Sequence, residues 1–434
     1  MTRKMKDSGI EWIGEIPEEW EVTKLKQLAS FHNGDRGKNY PSGNDLVDEG
    51  VYFLTSNNIH GYYLDIDKSI SKFITNERLN VLNGAKIQIN DIVFCLRGSV
   101  GNCSINKSLE KGTIASSLML IRPINIDADF LNYIMQSDIK VMEVLNLTTG
   151  SCAANLSAIN VSNFKILQPS LSEQVKISNY LNKKTEQIEN IKSTIVKEIQ
   201  TLEDYKKSLI TEAVTKGLDK NVKMKDSGIE WIGEIPKHWE IFKVKYLATI
   251  LNGSTPNTGK INYWDGDIKW ITPKDLFDNK IITDSLKKIT KEGYHSCGTN
   301  MVPINTILLS TRAPIGTVAI AKTELCTNQG IKSIVCNREK LNYKLLFYYL
   351  LTKNEVLNFL GNGTTFMELS TSSLMGLPIP CASINEQNKI VDYLDKKTKS
   401  IDEAITAKQK QLEVLEEYKK SLIYEYVTGK KEVL

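Results

Sequence analysis

Histidine is scarce in this sequence of 434 residues. The four present (His32, His60, His238 and His295) each stand alone, so they offer no metal-ligand spacing. The seven cysteines, at 95, 103, 152, 297, 326, 336 and 381, are odd in number, scattered and free of CxxC pairs. That excludes a zinc ribbon or a redox pair and argues against a disulfide framework; they read as buried thiols of a reducing compartment. Pro-Pro is missing, and with it the Asn/Asp-Pro-Pro-aromatic motif of amino-methyltransferases. None of the Gly-Lys pairs (37–38, 259–260, 429–430) is followed by Ser or Thr, so there is no phosphate-binding P-loop. No Pro-Asp precedes a Glu/Asp-x-Lys, which removes the usual nuclease pattern. Gly361-Asn362-Gly363 reads as a loop, too short to hold a cofactor. No run of about 18 apolar residues occurs, and the opening MTRKMKDSGIEW lacks an apolar signal region. We therefore expect a soluble cytoplasmic protein with no membrane contact, no catalytic residues and no metal site of its own. A net charge of +4 is too small to argue for nucleic acid, so any basic surface must be local.

What is present is a repeat. MKDSGIEWIGEIP stands at Met5–Pro17 and again, letter for letter, at Met224–Pro236. The likeness continues through EEWEVTKLKQLASFHNG (18–34) and KHWEIFKVKYLATILNG (237–253). DIVFCLRGSVG (91–101) matches NTILLSTRAPIG (305–316): an apolar strand, an arginine (Arg97 or Arg312), then a glycine-ended turn. Residues 150–174 match 363–387, and 173–217 match 386–430, with YKKSLI in both. A self-similar chain is best read one repeat at a time. The ends of each repeat are nearly constant, whereas the middles, Val22–Ser170 and Ile241–Ser383, share a skeleton but little sequence. One scaffold has been kept alike while one reader has diverged.

In 171–214 the apolar residues Ile177, Leu181, Ile188, Ile191, Ile195, Leu202, Tyr205 and Leu209 follow alternating steps of four and three, interrupted by Lys184 and Glu198. In 384–428 the series is Ile390, Leu394, Ile401, Ala404, Leu415, Tyr418 and Leu422, interrupted by Lys397. A period near 3.5 is a coiled-coil seam. Ser172 with Glu173, and Asn385 with Glu386, supply cap-type and first-turn acidic residues. Each helix covers about 40 residues, roughly 60 Å. Either each packs on its own domain, or the two pair with each other, in which case the simplest path is antiparallel with a pseudo-two-fold axis and a head at either end. In the middles, 91–97, 266–276 and 306–312 read as strands, and 127–145 and 342–360 as helices. The expected fold class is mixed α/β (α+β): two globular domains in tandem, each followed by a long helix. The divisions are 1–170 (opening motif 5–20), helix 171–214, linker 215–223, second domain 224–383 (motif 224–239) and helix 384–428. The seam is expected to have ended by Thr211–Lys220, so insertions there should be tolerated.

The doubled SGIEWIGEIPxxW, NGSTPNTGKINYWDGDIKWITPKDL (252–276), LLSTRAPIGTVAIA followed by TNQGIKSI (308–334), and the paired EQxKI, YLxKK and YKKSLI helices resemble the specificity subunit of Type I restriction–modification enzymes. The likeness spans essentially the whole chain. It implies two target-recognition domains, each reading one half of a split double-stranded DNA sequence in defence against foreign DNA. It also implies helices that set the spacing and dock two methyltransferase (modification) subunits, with restriction/motor subunits able to join. Adenine methylation and cleavage, with S-adenosylmethionine, ATP and Mg, would belong to those partners. The first domain departs from the pattern, having FHNGDRGKNYPSG and VYFLTSNNIHG where the second has fuller signatures. A coiled-coil adaptor without DNA recognition would share the helices but has no need of two divergent heads. The specificity part of another multi-subunit methyltransferase stays open, whereas a fused restriction enzyme would need the missing motifs.

Trp12, Ile13, Ile16 and Trp20, with their copies Trp231, Ile232, Ile235 and Trp239, are expected in the core and at partner-docking surfaces. Base edges are read by Arg or Lys at guanine and Asn or Gln at adenine, with other polar groups on phosphate. In the first domain the DNA-facing candidates are Arg36, Lys38, Asn57, Asn58, His60, Arg97 and Ser99. In the second they are Ser254, Thr255, Lys260, Lys274, Asp275, Arg312, Asn328 and Gln329. Each lone lysine can equally be a solvated charge, Asn58 and Asp275 can cap a helix or turn, and Tyr263 and Trp264 read better as core than as stacking platforms.

Overall fold

The repeated sentence folds as a hairpin. In the computed structural model, which describes residues 3–148, 155–277, 280–312, 314–361 and 368–433, Met5–Asp7 pairs antiparallel with Glu15–Pro17, and Met224–Asp226 pairs in the same register with Glu234–Pro236. The chain divides into two compact units, Met1–Ile195 with Lys410–Leu434, and Val196–Gln409.

In the first unit, Ala29–Asn33, Leu118–Pro123, Ile92–Cys95 and Cys103–Ile105 form a four-stranded antiparallel sheet in that order. A second sheet orders Gly112–Ile114, Val51–Leu54, Lys72–Ile74 and Leu46–Val47. The helices Ala128–Gln136 and Asp138–Thr148 follow, split at Ser137, where the sequence predicts a single helix over 127–145. The second unit carries a five-stranded sheet, Ala248–Asn252, Ile331–Cys336, Ile307–Ser310, Val318–Ala321 and Ile281–Ile282. Beside it lies a three-stranded one, Lys287–Ile289, Trp264–Ile271 and Cys326–Thr327. The strand expected over 266–276 ends at Ile271, because Pro273 opens a short helix, Pro273–Leu276, as the first-turn residue.

The long helices run Leu171–Lys216 and Ile384–Val427. Their caps lie two residues earlier than the sequence suggests. The hydroxyls of Ser170 and Ser383 accept from the N–H of Glu173 and Glu386, so Ser172 and Asn385 already sit in the first turn. The repeated Glu-Gln pair then has a defined task. Glu173 accepts the indole N–H of Trp20 at 3.0 Å and Glu386 that of Trp239 at 3.1 Å. Gln174 accepts the N–H of Asp127 and donates to the carbonyl of Pro169; Gln387 does the same with Asn342 and Ala382. Tyr133 bonds Asn182 and Thr185, and Tyr348 bonds Asp395 and Thr398. Each head is thus pinned to the first turns of its own helix by polar bonds whose groups would be costly to bury unpaired.

Each unit also contains the end of the other repeat's helix. Leu422, Ile423, Tyr426 and Val427 are buried in one core with Ile10, Ile16, Trp20, Ile177 and Leu181. Leu209, Ile210, Ala213 and Val214 are buried in the other with Ile232, Ile235, Trp239, Ile390 and Leu394. Both helices stop at a glycine of positive φ, Gly217 (+74°) and Gly429 (+70°), as a left-handed C-terminal residue requires. A Cβ at Gly217 would stand 3.2 Å from the Trp239 ring, and one at Gly429 would stand 2.4 Å from Pro17. The helices pair antiparallel within each unit: Glu189 with Lys419 and Lys192 with Glu416 in the first, Glu198 with Lys408 and Lys206 with Asp402 in the second.

The seam differs from the expected series at four places. Ile191, Tyr205 and Tyr418 are 49%, 53% and 53% exposed and do not pair the helices. A helix turns 3.6 residues per turn, so a strict 3.5-residue spacing drifts off the buried face unless the helix supercoils. Ile405 rather than Ala404 is the buried neighbour of Ile401. Nor does burial end at Thr211: Ala213, Val214 and Thr215 lie in the second unit's interior, leaving Leu218–Asn221 as the exposed connection. Ile13, Ile16, Trp20, Ile232, Ile235 and Trp239 are buried, Trp12 is half-buried, and Trp231 is 42% exposed.

Among the described residues no helix is long and apolar enough to cross a membrane, and no group of His, Cys, Asp or Glu could hold a metal ion. Cys95, Cys103, Cys326 and Cys381 are buried free thiols, and burial pushes Cys95 and Cys326 up to about 12. Cys297 and Cys336 are only partly buried, while Cys152 and positions 362–363 of the Gly-Asn-Gly loop lie outside the described residues.

Candidate nucleic-acid interface

In each head several of the polar candidates lie near a strand that ends in Asn-Gly. Gly34 and Gly253 have no room for a side chain: a Cβ would stand 2.3 Å from the Ala115 carbonyl oxygen, or 2.1 Å from that of Asn328. Glycine lets two loops touch, and one carries Arg36 or Thr255 onto the other. The Arg36 guanidinium donates to the Ser116 carbonyl at 3.3 Å, and the Thr255 hydroxyl donates to the Gln329 side chain. Ser116 is therefore the first head's counterpart of Gln329. The runs TIASSLMLI (113–121) and CTNQGIKSI (326–334) share only their last residue, so the sequence carries no clear signal of this match.

The arginines come to the same place by the same bonds. Leu96 N–H donates to Ser117 O and Thr311 N–H to Gly330 O, both at 2.9 Å. Leu156 N–H then donates to Leu96 O, and Leu369 N–H to Thr311 O. Gly101 and Gly316, at φ +87° and +96°, close the turns by donating to the carbonyls of Cys95 and Ser310. Arg97 faces Asn155 across an isolated backbone bridge, and Arg312 faces Glu368. The difference is electrostatic: Glu368 accepts from Nε and Nη2 of Arg312 at 3.2 and 3.1 Å, whereas Asn155 carries no charge. Beside that pair lies Lys332, absent from the sequence candidates. Burial holds its ammonium below an ordinary lysine; Glu368 works against that shift and Arg312 with it.

Arg36 and Arg97 line one open cleft of about 550 Å³ with Asn33, Asn155, Ser157 and Ile159. Asp35 fixes the loop that carries Arg36. Its carboxylate accepts the N–H groups of Gly37 and Asn83, the first of these doing most to hold it below the usual carboxylate range. Lys38 and Ser99 are exposed on the same two loops. His60 lines a different, smaller cavity with Gln136 and Lys140, so the structure does not bring it to the Arg36–Arg97 cleft.

In the second head, Ser254 N–H bonds Thr327 O, and Trp270 indole N–H bonds Ser254 O. Asn328 accepts from Gly330 N–H and leaves Gln329 exposed beside Thr255. Lys260 stands over the Tyr263 ring at 5.2 Å. Trp264 packs edge-on against Trp270 at 5.1 Å, with Lys287 over its face at 5.6 Å, so Trp264 is a half-buried support.

Two candidates are structural. Asn58 is fully buried; it caps Thr55 N–H and donates to Asp65 O and Ser71 Oγ. Asp275 is 5% exposed and accepts from Thr272 N–H, Thr272 Oγ1 and Leu286 N–H. A buried side chain whose polar atoms are committed to such bonds is not free to reach a base. Their neighbours Asn57 and Lys274 are exposed at the same position of the same turn.

Two mixed α/β heads, each joined to a paired long helix and each presenting a glycine-gated set of polar side chains, describe a class of duplicated recognition protein. The family model described as Type I restriction modification DNA specificity domain matches residues 17–201 and again residues 236–414, and the chain belongs to that family. It is 42% identical to the Type I restriction enzyme MjaIX specificity subunit of Methanocaldococcus jannaschii over 189 residues, 43% of each chain. It is 25% identical to the MjaVIII specificity subunit of the same organism over 433 residues, 96% of this chain and 93% of that one. Among solved structures, a chain of a type I R-M system matches at TM-score 0.75 and 17% identity, covering 96% of this chain and 99% of that one. The HsdS subunit from Thermoanaerobacter tengcongensis matches at TM-score 0.55 and 17% identity over 96% and 98%. At these identities the solved structures speak for the fold.

Proposed function

We infer that this protein is the non-catalytic, sequence-specific DNA-binding subunit of a Type I restriction–modification complex. Each head reads one half of a split double-stranded target, and the helical frame holds the halves at a set spacing. The frame docks two modification subunits, which carry S-adenosylmethionine and adenine methylation; restriction/motor subunits bring ATP, Mg and cleavage. The observation that carries the reading is the match of one DNA-specificity family model to both halves of a chain whose junctions are constant and whose polar loops diverge. Two equal junctions suit two equal partners, and two unlike loop sets suit two unlike half-sites. Polar and cationic side chains on loops are the groups that read base edges and phosphates. An adaptor without DNA recognition would leave the divergence of those loops without a purpose.

The test is reconstitution. The purified chain with S-adenosylmethionine should methylate nothing, and addition of modification subunits should produce adenine methylation at one split sequence. Exchanging Val22–Ser170 for another recognition domain should change one half of that sequence only. Robust methylation by the chain alone, or a swap that alters both halves, would sink the reading.

A further inference from the structure

The turn after the strand Val51–Leu54 and the turn after the strand Trp264–Ile271 are one device with two different tips. In Thr55-Ser56-Asn57-Asn58 the Asn58 side chain accepts the Thr55 N–H at 2.9 Å. In Thr272-Pro273-Lys274-Asp275 the Asp275 carboxylate accepts the Thr272 N–H at 2.8 Å. Both anchors are buried and bonded onward, Asn58 to Asp65 and Ser71, Asp275 to Leu286. Each turn therefore presents a single exposed side chain on a backbone held from beneath: Asn57 in one head, Lys274 in the other.

Each turn also abuts the loops already described. Ala115 N–H donates to Leu54 O, the residue before Thr55, and Ala115 is the residue against which Gly34 packs. Asn328 N–H donates to Ile271 O, and a Cβ on Gly330 would stand 3.1 Å from Pro273 Cγ. Gly330 in turn accepts from Thr311, next to Arg312. Lys274 is therefore rigidly placed beside the loop carrying Gln329, and Asn57 beside the loop carrying Ser116. A residue whose support is the same in both heads while its chemistry differs is suited to discrimination, because a fixed backbone turns a side-chain change into a change of partner.

We propose that this turn position is a base-reading position in both heads, Asn57 selecting adenine in the first half-site and Lys274 selecting guanine in the second. The assignment rests on the DNA-specificity reading above. It follows from the major-groove pattern: an amide matches the adjacent donor and acceptor of adenine, and an ammonium matches the paired acceptors of guanine.

The experiment uses the complex of the full chain with its modification subunits and maps methylated sites across random-sequence DNA. Lys274→Asn should leave the first half-site intact and shift one position of the second from guanine towards adenine. Asn57→Lys should do the reverse in the first half-site. Lys274→Ala should relax that one position, with discrimination falling about 5- to 150-fold. Both residues are exposed, so the fold is not at stake, and the unaltered half-site reports that each variant complex is intact. An unchanged sequence preference, with or without a uniform loss of binding, would overturn the proposal and make the position a phosphate contact or a bystander. If the parent complex itself showed no sequence preference, the specificity reading would fail first, independently of the turn.

Discussion

The junction built on Trp20 and the one built on Trp239 use the same atoms for the same contacts: indole to glutamate, glutamine to the neighbouring helix cap, and a left-handed glycine against the tryptophan. The loops beyond Gly34 and Gly253 share backbone bonds and almost no side chains. Arg36 stands where Thr255 stands, Ser116 where Gln329 stands, Asn57 where Lys274 stands, and Asn155 where Glu368 stands. The difference separates two demands. A junction buries its side chains on all sides, so any change costs packing and unpaired polar groups. A loop tip meets solvent, so its side chain can change while the glycine and the backbone bonds beneath it stay.

The strongest way to break that comparison is to lengthen the frame and leave the heads alone. One heptad inserted after Ile195 and another after Gln409 would keep the seam and add about 10 Å to each helix, about three base pairs of DNA. The expected outcome is a target with the same two half-sequences, a spacer longer by about three base pairs, and loss of binding to the parent site. Methylation mapping checks it. An insertion between Thr211 and Lys216 should instead unfold the second unit, because it displaces Ala213, Val214 and Thr215 from its interior.

Next come the junctions. Trp20→Ala or Trp239→Ala should each cost about 3–5 kcal/mol by leaving a buried cavity. Gly217→Ala and Gly429→Ala both place a side chain at positive φ, at about 1–2 kcal/mol. Gly429→Ala should be worse by about 1–3 kcal/mol, because its Cβ meets Pro17 at 2.4 Å where that of Gly217 meets a ring at 3.2 Å. Denaturant unfolding of the variants orders them, and equal costs would mean that the two junctions are tighter copies than their contacts suggest.

Smaller effects are expected at the arginines. Arg97→Ala and Arg312→Ala should each cost about 1–3 kcal/mol in binding and relax only their own half-site. Glu368→Gln should alter the second half-site alone, since the bridge partner of Arg97 is the uncharged Asn155. Competition binding at two salt concentrations separates base contacts from phosphate contacts.

The smallest effect concerns the helix pair. The bond from Lys192 does most to hold the Glu416 carboxyl below its ordinary value, with burial opposing it. A carboxylate depressed in the folded state contributes stability above its unfolded value, near 4.5, and loses it as pH falls through the folded one. The pair is only partly buried, Lys192 at 24% and Glu416 at 45% exposure, so solvent screens it and Glu416→Gln should cost about 1 kcal/mol or less at pH 7. The gap from the parent should close as pH drops below about 4; thermal melts from pH 3 to 7 test this.

The repeat, the long helices, the mixed heads and the two arginines were legible in the residue order, because a duplicated scaffold repeats its letters and a helix repeats its period. Arg97 and Arg312 could be matched from a strand followed by a glycine-ended turn, and the structure places them by matching backbone bonds. Three things waited for the tertiary structure. One is which helix end fills which core: nothing in YKKSLI says that the first copy packs in the core with Trp239 and the second in the core with Trp20, because identical letters carry no sign of which tryptophan they meet. Another is which side of a helix faces its partner, so that Ile191, Tyr205 and Tyr418 fit the period yet stand in solvent. The last is the orientation of polar side chains. Asn57 and Asn58 are adjacent and chemically alike, and only the folded turn directs Asn58 inward to Thr55, Asp65 and Ser71 and Asn57 outward.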